Sequence, residues 1–216
     1  PQAQQTPASS SVLPCSAPII APQDAPAPRA SPCPAVGRDG RPRLTWGTDF
    51  SGMETPSQAL HTLGIPHLLV SASEYKPNAR KFIWHNFDPL EIRQNAWTQP
   101  RIVHNALIDL YIAGFPCQPF SPLGKQQGVD DEKGRGICAE VCIHRIANLR
   151  PKAFILENVA KARTAHEGTF WTHLTSQLRA AGYTLDDYIY DAYRAGSPQT
   201  RRRVYLIGRK GHHRPL

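Results

Sequence analysis

No run of apolar residues in this sequence is long enough to span a bilayer or to serve as a secretory signal, so neither a membrane protein nor a secreted one is expected. The prediction is a soluble, intracellular chain, nuclear if its source is eukaryotic. Cysteine is scarce. Five residues, at 15, 33, 117, 138 and 142, form no CxxC pair and no second ligand cluster, which argues against a disulfide framework and a structural zinc site. Reduced thiols and no bound metal are expected. Acidic residues are in the minority, 17 against 25 lysines and arginines, and the net charge of +8 points to a polyanionic partner.

The first 43 residues lack the apolar surface that a core needs. They hold ten of the 21 prolines, and Pro, Ala and Ser fill 23 of their 43 positions, so residues 1–43 read as a disordered leader. The chain opens on Pro1 rather than methionine, which reads as a fragment, a processed product or part of a longer polypeptide. At the other end, Gln199 to Leu216 holds six basic residues and no acid. From Arg209 onward this run reads as a solvated tail; residues 211–216, with His212 and His213, lie beyond the domain.

Between those ends, over residues 44–210, strand-like and helix-like segments alternate. Strands are expected at Leu44 to Phe50, His67 to Ser73, Leu90 to Asn95, Leu107 to Ala113, Ala153 to Leu156, Tyr183 to Tyr193 and Val204 to Gly208. Helices are expected after Thr55 as N-cap with Pro56 at the first helical position, from Pro77 through Phe87, from Gly136 to Leu149, and from Glu167 to Ala181. Gly64 and Gly182 mark two helix ends. The alternation predicts one α/β domain with a doubly wound, mostly parallel, Rossmann-like sheet.

The first loop, Phe50-Ser51-Gly52-Met53-Glu54-Thr55, follows a strand, and Glu74 stands 22 residues beyond Gly52 at the end of the next one. Such folds hold a nucleoside this way, the acid accepting hydrogen bonds from ribose hydroxyls. The loop lacks the glycines that admit a pyrophosphate, and a carboxylate at Glu54 repels phosphate. A phosphate-free nucleoside such as S-adenosylmethionine therefore fits better than NAD or ATP. The bland alternative is an ordinary strand-helix turn with a surface Glu74.

Gly114-Phe115-Pro116-Cys117-Gln118-Pro119-Phe120-Ser121 places one cysteine at the abrupt end of an apolar strand, between prolines that forbid regular structure. There Cys117 is either a nucleophile or a small buried hydrophobe. Glu157, in Ile155-Leu156-Glu157-Asn158-Val159, leaves an acid at the end of the neighbouring strand. Arg201 and Arg203 share one face of a later strand by its period of two. The loop from Ser121 to Gly134, carrying Lys125, Asp130, Asp131, Glu132 and Lys133, suits a mobile lid or a plain surface loop. Cys138 and Cys142 align with Ile146 and Leu149 on a helical face, as core residues do.

Together the FSG loop, PCQPFS, ENV and SPQTRRRVYLIG, in this order and spacing, resemble the cytosine carbon-5 methyltransferases over roughly Leu44 to Lys210. The resemblance implies a DNA cytosine-5 methyltransferase, with Cys117 attacking carbon 6, Glu157 contacting the exocyclic amine and ring nitrogen, and Arg201 and Arg203 supporting the flipped nucleotide. It implies that Phe50, Ser51, Gly52, Met53, Glu54, Glu74, Tyr75 and Asn95 line the S-adenosylmethionine site. The chemistry calls for a Glu157 carboxyl raised in pKa by burial. Departures are Phe115 for the usual proline, Glu54 for the second glycine of the first motif, and Asn95 for an aspartate. A target-recognition domain and a final motif are expected outside this chain. The alternatives are a catalytically inactive remnant that at most binds nucleic acid, and an RNA cytosine-5 methyltransferase.

Overall fold

A computed structural model describes residues 43–98, 108–116 and 138–211. Its strands are β1 (Leu44–Asp49), β2 (His67–Ser73), β3 (Glu91–Arg93), β4 (Leu110–Gly114), β5 (Ala153–Val159), β6 (Tyr183–Asp191) and β7 (Arg202–Lys210). All join one sheet in the order β3-β2-β1-β4-β5-β7-β6. β1 to β5 run parallel, and β7 runs antiparallel to both β5 and β6. The helices are α1 (Thr55–Thr62), α2 (Pro77–Phe87), α3 (Cys138–Leu149) and α4 (Thr169–Ala180). This is the doubly wound, mostly parallel α/β sheet that the alternation predicts.

Two cores follow from the two faces. Trp46, Leu60, Leu69 and Ile83 join the sheet to α1 and α2 on one side, a cluster that extends to Leu110 and Ile112 of β4. On the other side Tyr111, Phe154, Leu156 and Leu206 pack against Cys142, Ile146, Leu174 and Leu178 of α3 and α4. Cys138 and Cys142 are buried here, as their helical spacing predicts. Close packing is most acute at Gly208, where an added Cβ would lie 2.1 Å from ring atoms of Phe154. Gly208→Ala should therefore lower the urea midpoint by an amount worth roughly 1–3 kcal/mol, the usual cost of overpacking; an unchanged midpoint would mean that the Phe154 ring moves freely.

Three local expectations are corrected. Thr55 is not the N-cap of α1: Glu54 is, in the left-handed region with φ 59°, and it makes no side-chain cap. Arg209 and Lys210 are not tail but the end of β7, and the Arg209 guanidinium bonds Asp186 on the adjacent strand. Two 3₁₀ turns, Ala160–Arg163 and Ala165–Gly168, delay α4 to Thr169. The leader up to residue 42, Cys117 and the loop from Ser121 to Gly134 lie outside the described residues.

Candidate functional site

Every parallel strand delivers its carboxyl end to one edge of the sheet, and the predicted cofactor residues collect there. The turn after β1 is held against β2 by backbone and side chain together. Ser51 donates to the Ser73 carbonyl from its amide and from its hydroxyl, both at 3.0 Å. Glu74 receives the Gly52 amide on Oε2 at 2.8 Å and the Lys76 amide on Oε1 at 2.9 Å. Its carboxylate thus fixes the turn while keeping further lone pairs for a ligand hydroxyl. Beside it the side chains of Met53 and Tyr75 stand 54% and 76% exposed, apolar surface that a flat ring could cover. Phe50 is half-buried against the larger core. The Asn95 Oδ1 already accepts the Trp97 amide at 2.9 Å.

Glu54 departs from the expectation. Rather than projecting a carboxylate at the ligand, its side chain is fully buried, and among the described residues neither oxygen has a hydrogen bond of normal geometry. Burial pushes its pKa up to about 8, and attraction from the Ser51 hydroxyl and Ser57 amide offsets only part of that. At neutral pH Glu54 is uncharged, so it repels no phosphate. Preference for a phosphate-free nucleoside then rests on the missing glycines alone.

Sequence reasoning missed a charge cluster beneath this turn. Asp49, the last residue of β1, accepts from Ser73 Oγ at 2.7 Å, Arg93 Nη2 at 3.0 Å, Tyr111 Oη at 3.0 Å and Arg145 Nε at 2.8 Å. Burial raises the Asp49 pKa, but Arg93 and Arg145, with the Ser73 and Arg145 hydrogen bonds, outweigh it and hold the carboxyl below its usual range. Both guanidinia also donate to the carbonyl of Thr98, and Arg145 to that of Ala96. The loop that carries Asn95 is therefore tied to β1, β4 and α3 at once. One signal was available: Arg145 falls on the same helical face as Cys142, Ile146 and Leu149, where a charge has no business without a buried partner.

The second half of the site forms where β4, β5 and β7 lie side by side. Gly114 pairs with Glu157, and Glu157 with Tyr205. A Cβ on Gly114 would stand 3.3 Å from Glu157 Oε2, so a glycine leaves room for the carboxylate. Arg203 Nε lies 2.9 Å from Glu157 Oε1. The burial expected for Glu157 is not found: its side chain is 29% exposed and ion-paired, because β5 extends to Val159 and its end opens to solvent. Arg201 stands just ahead of β7, exposed, its amide donating to Asp191 Oδ1 at 2.9 Å. Pro116 is the last described residue before Cys117. Asn158, buried, donates to the Phe115 carbonyl at 3.4 Å and so holds the exit of β4 against β5.

Among the described residues no group of three or more His, Cys, Asp or Glu side chains is placed to hold a metal ion, and no helix is long and apolar enough to cross a membrane.

The family model described as C-5 cytosine-specific DNA methylase matches residues 50–215. Type II methyltransferase M.HgiCI of Herpetosiphon aurantiacus is 37% identical across 70% of this chain and 34% of its own length. Type II methyltransferase M.NgoBV of Neisseria gonorrhoeae is 33% identical across 74% of this chain and 40% of its own. This chain thus spans well under half the length of these curated relatives. Among solved structures, S. pombe Dnmt2 methyltransferase superimposes with a TM-score of 0.64 at 21% identity, over 81% of this chain and 53% of that one, a likeness of fold.

Proposed function

This chain belongs to the C-5 cytosine-specific DNA methylase family, and we propose that it is the catalytic core of an S-adenosylmethionine-dependent enzyme methylating carbon 5 of cytosine in DNA. The observation that carries this reading is the Glu157–Arg203 pair, set directly across from Gly114 at the exit of the strand that leads to Cys117. A thiolate there adds to carbon 6 of a cytosine, forming a sulfur–carbon bond and turning the ring into an enamine nucleophilic at carbon 5. Glu157 holds the ring nitrogen and exocyclic amine where charge builds, and Arg203 fixes the orientation of Glu157. Once carbon 5 is methylated, a base takes the carbon-5 proton, the electron pair left behind re-forms the double bond between carbons 5 and 6, and the sulfur leaves carbon 6 with its bonding pair as thiolate. Neither carbon is accessible in a duplex, so the base must be extruded.

S-adenosylmethionine, when bound, supplies an electrophilic methyl on a sulfonium. Glu74 would take its ribose hydroxyls, Tyr75 and Met53 would cover its adenine and methionyl surfaces, and the Phe50-Ser51-Gly52 turn would floor the site. Asn95 would meet the adenine edge, and Glu54 would support the turn from beneath as a neutral group.

Because the relatives are longer, the assay uses the longest polypeptide encoded around this chain. Duplex DNA bearing 5-fluorocytosine, incubated with protein and S-adenosylmethionine, should yield an adduct that survives denaturing electrophoresis, since fluorine cannot leave as a proton. Cys117→Ser should abolish it, and Glu157→Gln should slow it by roughly 10²–10⁴-fold. A protein that binds DNA and cofactor yet never forms the adduct, or a Cys117→Ser variant that still does, would overturn the reading.

A further inference from the structure

β6 closes the sheet at its outer edge, and the end of this strand carries two tyrosines in the open, Tyr188 at 44% and Tyr190 at 46% exposure. Directly paired residues project to the same face of a sheet. Tyr188 pairs with Tyr205, which pairs with Glu157; Tyr190 pairs with Arg203, which pairs with Val159. Tyr188 and Tyr190 therefore share a face with Glu157 and Arg203 and extend it outward. Among the described residues, the hydrophobic cluster on that face extends to β4 and does not reach them.

The charges around this shelf favour a polyanion. Arg201 is exposed just ahead of β7, and Arg203 and Arg209 share the face of the tyrosines. The neighbouring acids are already engaged: Asp186 with Arg209, Asp187 with Arg163 at 3.1 Å, and Asp191 with the amides of Tyr193 and Arg201. Side chains two residues apart on one strand stand roughly 6.6 Å apart. That is about twice the roughly 3.4 Å rise of stacked bases, so one base per tyrosine requires a strand whose stack has been opened. Extruding a nucleotide opens the stack in this way.

We infer that Tyr188 and Tyr190 form a stacking platform for unpaired bases of a DNA strand, with Arg201 along its phosphates. This rests on the proposed function, which sets the target base against Glu157 on the same face. Stacking on tyrosine accepts any base, so the platform confers preference for unpaired over paired DNA and not for a sequence.

The test measures binding of the 216-residue chain to a labelled single strand of about 12 nucleotides and to the matching duplex, by fluorescence anisotropy. Tyr188→Ala with Tyr190→Ala should weaken single-strand binding about tenfold or more, while duplex binding changes less than about twofold. Tyr188→Phe with Tyr190→Phe should keep the wild-type preference, because the ring and not the hydroxyl stacks. The inference is overturned if wild type does not bind the single strand, if the alanine variant, folded by circular dichroism, binds it unchanged, or if both DNA forms lose affinity equally. Loss of a dimer in sedimentation without loss of single-strand affinity would instead assign the shelf to a second copy of this chain. Tyrosine-dependent binding without any 5-fluorocytosine adduct would remove the catalytic reading and leave the platform standing.

Discussion

Asp49→Asn should lower stability by about 3–5 kcal/mol, the cost of breaking a buried ion pair by removing one partner. The variant keeps the volume but leaves Arg93 and Arg145, 6% and 2% exposed, facing each other without their shared anion. The amide also cannot accept from four donors as the carboxylate does with Ser73, Arg93, Tyr111 and Arg145. Because the folded pKa of Asp49 lies below its unfolded value, its contribution is complete above the unfolded pKa and is lost as pH falls through the folded one. Wild type and variant should accordingly converge in acid. Urea unfolding measured near neutral pH and again in acid checks both points; a gap that persists unchanged in acid would mean that lost packing, not charge, is responsible. The same variant should loosen the Asn95 loop, since both guanidinia that Asp49 orients also hold the Thr98 carbonyl.

How far the sequence reaches is visible in where it stops. Strand and helix positions were legible because runs such as His67 to Ser73 carry Leu68, Val70 and Ala72 on one face and Leu69 on the other, and Pro77 opens a helix unmistakably. Ends were less legible. Glu157-Asn158-Val159 read as a polar stop after Leu156, yet these residues pair with Tyr205, Val204 and Arg203, and the ladder with β7 carries the strand onward. Arg209 read as solvated because its partner Asp186, on the diagonal of a β6–β7 pairing, is a tertiary neighbour that local pattern does not reveal. In the candidate site, Glu74 and Glu157 were singled out by their places at strand ends and Arg203 by the period of its strand. Asp49 carries no local signal of its own, and its meaning appears only when arginines from β3 and α3 converge on it. Thr55 obeyed the local rule for a cap and lost to Glu54, whose left-handed backbone starts the helix one residue earlier than the threonine's chemistry suggests.

Glu54 yields the other large effect, with the opposite sign. An acid whose folded pKa is about 8 keeps its proton in the native state over a range where the unfolded chain has released it, above about 4.5. The native state then binds more protons than the unfolded one, so stability must fall as pH rises across that window and level off beyond it. Each tenfold difference in proton affinity between the two states is worth about 1.4 kcal/mol, so the loss through Glu54 is on the order of a few kcal/mol. Glu54→Gln keeps the shape of the side chain and removes the titration. Its urea midpoint, compared with wild type at about pH 5 and about pH 8, isolates the contribution of this one group from those of other carboxyls. The difference should grow with pH in favour of glutamine. If the two proteins instead keep a constant difference, Glu54 does not change protonation within the window and must find a partner or solvent in solution. Since Glu54 starts α1 directly beneath the turn that Glu74 secures, the same ionisation should destabilise the Gly52 turn first, and the Gly52 amide should exchange faster at about pH 8 in wild type than in Glu54→Gln, after correction for intrinsic exchange.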